Sequence, residues 1–424
     1  MFRVFANAWR VPDLRKKILF TIIVIVLYRL GSVIPVPYVD GAALAAQMES
    51  TGGTLLGYFN MLSGEAFSQG TLFALGVSPY ITSSIVVQLL TIAIPAWDRW
   101  QKSGPEGQAK LAKITRFITV ALAIITGYGY YITVKQTGVI EDHWFAGVVI
   151  VACLTAGAAL VMWIGERIDE KGIGNGISII LFANIVSSGA SMFMTMYQWI
   201  KLDTNNIIWV AVALIMMLVI ITLTVMFSNS ERRLNVQYAK RQVGRKMYGG
   251  SNTTLPIKVL MSGVMPIIFA NSVVMMPATL ALIFRSWEEN VTTYFSANSE
   301  YPYYVIATFI LIVAFAYFYL SISFNTYDVA NNLKKNGGTI LGYRPGKPTA
   351  DYLRKVVNRI TLIGSIFLSF MAIVPILMAW TEKGPLTSLV FGGTSIIIVV
   401  SVALETTREL ESEITLRHYK GFLE

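Results

Sequence analysis

Long apolar blocks separated by short polar or basic segments dominate this chain. Stretches nearly free of Lys, Arg, Asp and Glu run over about 18–34, 72–94, 117–132, 145–164, 177–197, 207–227, 259–284, 303–324, 360–380 and 389–404. A helix needs roughly 17 to 25 apolar residues to cross a ~30 Å hydrocarbon core. The pattern therefore predicts an all-α polytopic membrane protein of about ten transmembrane helices. Segment 55–67 (LLGYFNMLSGEAF) is apolar on one side only, and too short and broken to cross. It reads as a re-entrant helix or as a helix lying on the surface.

One string recurs. The second block holds Gly76-Val77-Ser78-Pro79-Tyr80-Ile81 and the seventh holds Gly263-Val264-Met265-Pro266-Ile267-Ile268, a shared G-V-x-P-x-I. The copies lie five blocks apart, so they run in opposite directions through the membrane, as two inverted halves of five helices would. Paired Gly/Pro interruptions in corresponding helices of two halves point to a central pathway. Parallel need for a helix kink is the simpler alternative. The halves divide as 1–200, with blocks one to five, and 201–424, with blocks six to ten and two long loops at 228–258 and 325–359.

Basic residues settle the expected orientation. They cluster at 3–17, 99–116, 167–171, 232–258, 334–359 and 408–420, against only Lys135, Lys201, Arg285 and Lys383 in the alternate segments. The positive-inside rule then places both termini and both long loops in the cytoplasm, and the formal net charge of +10 describes one basic face. Charged residues make up 14% of the chain, against about a quarter in soluble proteins, and the mean hydropathy is +0.59. The basic N-terminus runs into a full-length span without a small-residue cleavage site, which predicts a retained first helix.

Catalytic chemistry has little material here. Cys153 is the sole cysteine and falls within a span, which leaves it a packing role and excludes internal disulfides. His143 and His418 are the only histidines, and no P-loop occurs, so a histidine metal site, a His-based triad and nucleotide hydrolysis all lack their residues. No cofactor or metal is expected. The span interiors hold no charge that could couple solute transport to protons or sodium, because Arg29, Glu166 and Glu405 lie near span ends. Thr82, Ser83, Ser84, Gln88, Asn271 and Ser272 are uncharged, and helix-to-helix hydrogen bonding is the ordinary reading for most of them.

Eight strings carry a family resemblance in the right order: YRLGSVIPVP, FALGVSPYITSSIVVQLL, GPEGQAKLAKITR, DEKGIGNGISIILFANIV, ERRLNVQYAKR, GVMPIIFANSVVMMPATL, NLKKNGGTILGYRPGKPTADYL, and FGGTSIIIVVSVALET with RHYKGF. Over essentially its whole length the chain resembles the SecY family, the central channel subunit of the bacterial Sec protein translocase. The resemblance implies two inverted five-helix halves around an hourglass pore, closed at the waist by Ile81, Ile85, Leu181, Ile185, Ile268 and Ile398. Helix periodicity agrees, since 81/85 and 181/185 each share a face. It further implies a lateral gate with Gln88 and Asn271 as polar contacts, and a plug near 55–72 that includes Leu55, Tyr58, Phe59, Met61, Leu62 and Phe67.

Cytoplasmic docking is implied for Arg232, Arg233, Lys240, Arg241 and Arg344. The implied partners are the small subunits SecE and SecG, the SecA motor ATPase, the ribosome through its RNA and proteins, signal peptides and nascent chains, and anionic lipids. The implied location is the bacterial cytoplasmic membrane. The sequence departs from the family pattern at Glu65, at Gln69-Gly70, at Asn235 and at Leu341 and Tyr343. A passive polypeptide channel is the first expectation. A secondary solute transporter and an insertase without a through-pore are the rival classes.

Overall fold

A computed structural model of the chain describes residues 2–49, 60, 63–136, 138, 143–202, 206–238, 241–243, 246–248, 252–261, 263–274, 276–277, 294, 301–381 and 386–420. Each of the ten apolar blocks carries a helix. In chain order the first two helices are α1 (Phe2–Arg10) and α2 (Pro12–Gly31), followed by α3 (Gly41–Glu49), α4 (Ser78–Ala93), α5 (Pro95–Lys102), α6 (Pro105–Gln136) and α7 (Trp144–Lys171). Then come α8 (Gly176–Leu202), α9 (Asn206–Asn229), the strands β1 (Glu231–Tyr238), β2 (Arg241–Val243), β3 (Lys246–Tyr248) and β4 (Asn252–Lys258), and α10 (Met265–Val274). The chain continues through α11 (Tyr303–Ser323), α12 (Thr326–Lys335), β5 (Gly338–Ile340), α13 (Lys347–Thr381) and α14 (Leu386–Lys420).

Among the described residues, 6 helices are long and apolar enough to cross a membrane, and the bent pair α4–α5 makes up to 7. The rest have local reasons. α2 carries Asp13, Arg15, Lys16 and Lys17 in its first turns, and α10 is described for 10 residues only. The pair α4–α5 bends by 105° at Ile94, whose extended backbone (φ −104°, ψ 109°) is what a following proline imposes. Large apolar side chains such as Ile23, Leu27 and Leu30 of α2 and Ile208, Ile215 and Leu218 of α9 are exposed in rows, a surface suited to lipid and costly in water.

The recurring G-V-x-P-x-I string has one local geometry in both copies. Gly76 (φ 52°) and Gly263 (φ 57°) each take a left-handed turn two residues before a helix begins. Glycine does this without steric cost. Pro79 and Pro266 then occupy the first helical turn, where the missing N–H is harmless. The amides of Ile81 and Ile268 donate to the carbonyls of Val77 (3.1 Å) and Val264 (3.2 Å), the same position in each copy.

The two long loops are not loops over most of their length. β1 pairs antiparallel with β4 from Glu231↔Lys258 to Gln237↔Asn252, and with β5 through Val236↔Ile340 and Tyr238↔Gly338, giving the sheet order β4-β1-β5. Segment 347–359 is the start of α13, continuous with the ninth span. Leu234, Val236, Ile257 and Ile340 of the sheet pack with Leu320, Ala330, Leu353 and Val357 into one core, so both segments fold as a single body. α12 begins at Asn325, whose side chain accepts from the amides of Tyr327 (3.1 Å) and Asp328 (3.4 Å), an N-cap that closes two otherwise orphaned donors.

Candidate functional site

The six residues expected at the waist fall in one buried apolar core. Ile81 and Ile85 from α4, Leu181 and Ile185 from α8, Ile268 from α10 and Ile398 from α14 all belong to one buried cluster. None is more than 8% exposed. The cluster draws on helices from both ends of the chain, and the six side chains offer it neither a hydrogen bond nor a charge. Such contacts hold by dispersion and shape alone, with each atom pair gaining only about 0.1–0.2 kcal/mol, so the closure has no directional bond to break.

α4 packs directly against α10, which sets Gln88 and Asn271 on adjoining helices. The expected polar contact between them is not the bond that forms. The Gln88 amide donates to Ser84 Oγ of its own helix at 3.4 Å. Asn271 is 3% exposed and its Nδ2 has no hydrogen-bond partner. A buried donor left unsatisfied costs about 1–3 kcal/mol, so α10 carries a local instability at Asn271. Of the other polar residues, only Ser83 bonds between helices, donating to the Thr115 carbonyl of α6 at 2.7 Å. Thr82 and Ser272 donate within their own helices.

Leu55, Tyr58, Phe59, Met61 and Leu62 lie outside the described residues. Phe67 is described, and it belongs to a different core from the waist. Its ring meets Tyr130 edge-on at 4.8 Å, the Tyr130 hydroxyl donates to its carbonyl at 3.0 Å, and its neighbours include Val36, Leu44, Ile150 and Leu154. The strand-like bonds Val36 N to Gly70 O and Leu72 N to Ile34 O, both 2.9 Å, anchor the same segment. Residues 63–71 therefore form a fixed base.

On the sheet, Arg232 and Arg233 are exposed on β1, and Arg233 Nε pairs with Glu231 Oε1 at 2.7 Å. Arg241 begins β2, its side chain lying outside the described residues, as Lys240 does entirely. Arg344 is exposed at the tip between β5 and α13. Gly342 (φ 85°) and Gly346 (φ 104°) shape that tip, and Thr349 Oγ1 donates to the Arg344 carbonyl at 2.7 Å. Tyr343 stacks on Tyr352 at 4.1 Å and 24°, tying the tip to α13. Asn235 faces Thr254 within the β1–β4 ladder, where its N–H keeps the strand regular. Burial beside Arg408 holds the Lys258 ammonium below the usual lysine range, while Arg408 itself donates to the Ser228 carbonyl at 2.5 Å and to Asn229 Oδ1 at 2.9 Å.

Sequence reasoning missed the sheet, although the buried Leu234 and Val236 alternate with exposed Arg233, Asn235 and Gln237 at the period-two spacing of a strand. It also missed Arg29, whose Nη2 reaches the Ala183 carbonyl of α8 at 2.6 Å; no local pattern announces a bond between residues so distant in the chain.

The family model for SecY matches residues 71–407. The protein translocase subunit SecY of Streptomyces galbus is 43% identical over 100% of both chains, and that of Streptomyces coelicolor is 44% identical over 100% of both. The Corynebacterium glutamicum subunit is 40% identical over 98% of this chain and 99% of its own. Among solved structures, one described as "The structure of a protein conducting channel" superposes with a TM-score of 0.71 at 20% identity, covering 94% of this chain and 92% of the other. Another, "Sec61 in the Canine ribosome-channel complex from the endoplasmic reticulum", gives 0.67 at 18% identity, over 94% and 92%. Both share the fold.

Proposed function

The chain belongs to the SecY family, and from that premise we propose that it is a passive, gated channel through which unfolded polypeptides cross the membrane and membrane helices leave sideways into lipid. The observation that carries the reading is the single buried cluster to which four helices contribute Ile81, Ile85, Leu181, Ile185, Ile268 and Ile398. Side chains of this kind close around a passing chain without demanding any fixed hydrogen bond from it, and they exclude water when no chain is present.

The lateral gate is the α4–α10 contact. Its closure is weak because Gln88 donates inside its own helix and Asn271 Nδ2 has no partner. Each Leu, Ile, Phe or Val of an arriving signal peptide contributes roughly −0.3 to −0.6 kcal/mol at mid-membrane, enough over a helix to part such a contact. Polar segments stay in the pore and cross. Segment 55–72 is assigned as the plug, with its fixed base at 63–71.

No nucleotide-binding loop or catalytic constellation occurs in the sequence, so the driving energy comes from a partner. The β4-β1-β5 platform, with Arg232, Arg233 and Arg344 exposed, is the docking surface for the SecA motor or the ribosome; Lys240 and Arg241 extend it in sequence. Arginine suits both carboxylates and RNA phosphates through its two-pronged geometry. SecE and SecG complete the membrane complex, and anionic lipids meet the basic face. Both termini and the platform lie in the cytoplasm of a bacterial cell, consistent with the distribution of Lys and Arg.

The test places single cysteines at Ile81 and Ile268 in a Cys153→Ala background and stalls a thiol-reactive precursor midway through export. Crosslinks at both positions, with none at exposed Ile23 substituted likewise, are expected. A precursor that crosslinks only to a partner subunit would overturn the pore assignment.

A further inference from the structure

Three elements meet at the end of α2. Arg29 Nη2 donates at 2.6 Å to the carbonyl of Ala183, which sits between the waist residues Leu181 and Ile185 of α8. Its Nη1 donates at 3.4 Å to the carbonyl of Gly64. The next residue, Glu65, accepts a hydrogen bond at Oε1 from Ser191 Oγ, about two turns further along α8. Beside Arg29, the Tyr28 hydroxyl accepts from Asn184 Nδ2 at 3.0 Å, so two consecutive residues of α2 grip two consecutive residues of α8.

The backbone of segment 63–71 is shaped to this arrangement. Gly64 has φ 68°, and a Cβ there would come within 2.6 Å of Arg29 Nη1, so a side chain at this position would displace the guanidinium. Glu65 has φ 73°, a left-handed conformation disfavoured for any residue with a Cβ. A residue held at such a φ usually owes its place to what its side chain does, and here the carboxylate meets Ser191 within electrostatic reach of Arg29.

We infer that Arg29 and Glu65 are positioning residues of the resting channel, forming a clasp that binds the plug base to the waist helix α8. The inference rests on the channel reading proposed above. Both bonds from segment 64–65 exist only while that segment lies against α2 and α8. Any movement that carries α8 away, as widening the waist requires, breaks the Ser191–Glu65 and Arg29–Ala183 bonds together. The clasp thus biases the empty channel toward its closed state and couples the seal above the waist to the waist itself.

The full chain with its small membrane subunits, reconstituted in vesicles, tests this through the resting leak of a small anion. Loss of one hydrogen bond to a charged group is expected to raise the leak of Ser191→Ala and of Glu65→Ala each about tenfold. Ser191→Thr, which keeps the hydroxyl, stays sealed. The double variant leaks no more than the leakier single one, because both remove the same bond. Glu65→Gly separates the bond from backbone strain: it relieves the left-handed conformation, yet is expected to leak as Glu65→Ala does. An unchanged leak in both single variants would overturn the clasp, as would a sealed Glu65→Gly or a Ser191→Thr as leaky as Ser191→Ala. Precursor export by the unsubstituted complex is measured in the same vesicles. Failure of that export sinks the channel reading, whereas export with unchanged variant leaks sinks only the clasp.

Discussion

The core that holds the six waist candidates and the core under the sheet platform are both buried, and they are held in opposite ways. The first gathers six aliphatic side chains from four helices into one apolar cluster, whose contacts have no direction. In the platform, β1 is bonded on both edges by backbone ladders to β4 and β5, and its apolar face is seated on α11, α12 and α13. A ladder bond is lost steeply with displacement or rotation, whereas a pair of methyl groups slides with little penalty. In the function proposed above, one core would part and reclose around unrelated chains, and the other would transmit a push without yielding. Stiffness sits where a partner would press, and compliance where a client would pass.

Four measurements would break or sharpen that contrast, beginning with the strongest. Leu353 is wholly buried under the sheet, and Leu353→Ala is expected to destabilise the platform by about 2–5 kcal/mol. Limited proteolysis would then cut near 230–260 at raised rates while the resting seal stays intact; a leaky waist in this variant would show that the two cores are not separable. Arg344→Glu reverses an exposed charge that carries no ion pair among those described here, and partner-driven export is expected to fall about a hundredfold, or roughly 2.7 kcal/mol. Equal loss in Arg344→Lys would show that two-pronged geometry matters beyond charge.

Asn271→Leu acts on the compliant side. It removes a buried donor without a partner, so the α4–α10 contact tightens by about 1–3 kcal/mol. Precursors with weakly hydrophobic signal peptides should then be exported up to tenfold more slowly, and strongly hydrophobic ones hardly affected; faster export of the weak class would refute the reading. The smallest effect belongs to Glu413→Gln at the partly exposed Lys17–Glu413 pair, 2.5 Å across between α2 and α14. Exposed pairs are worth about 0–1 kcal/mol, and thermal unfolding should barely move.

Much of this was legible along the chain. The apolar blocks announced the spans, because a lipid core tolerates only segments that satisfy their own backbone. The repeated G-V-x-P-x-I string announced two equivalent turns, and Gly76 and Gly263 adopt them with nearly equal φ. Ile81 with Ile85 and Leu181 with Ile185 each share a helix face at a spacing of four, and only the family resemblance nominated those faces for the waist. The charge pattern marked the basic segments, but read them as loops.

Composition and periodicity act locally, and they decided which segments are helices and which of their faces are apolar. Pairings between remote residues were decided only in the folded chain. β1 finds β5 across about a hundred residues, Ser191 finds Glu65, and Arg29 chooses the Ala183 carbonyl among many. Hydrogen bonds depend on distance and angle at the level of tenths of an ångström, and those are set by how whole helices pack. For the same reason the family resemblance could single out Asn271 as a gate candidate, while the unpartnered state of its Nδ2 was decided only by how the helices pack.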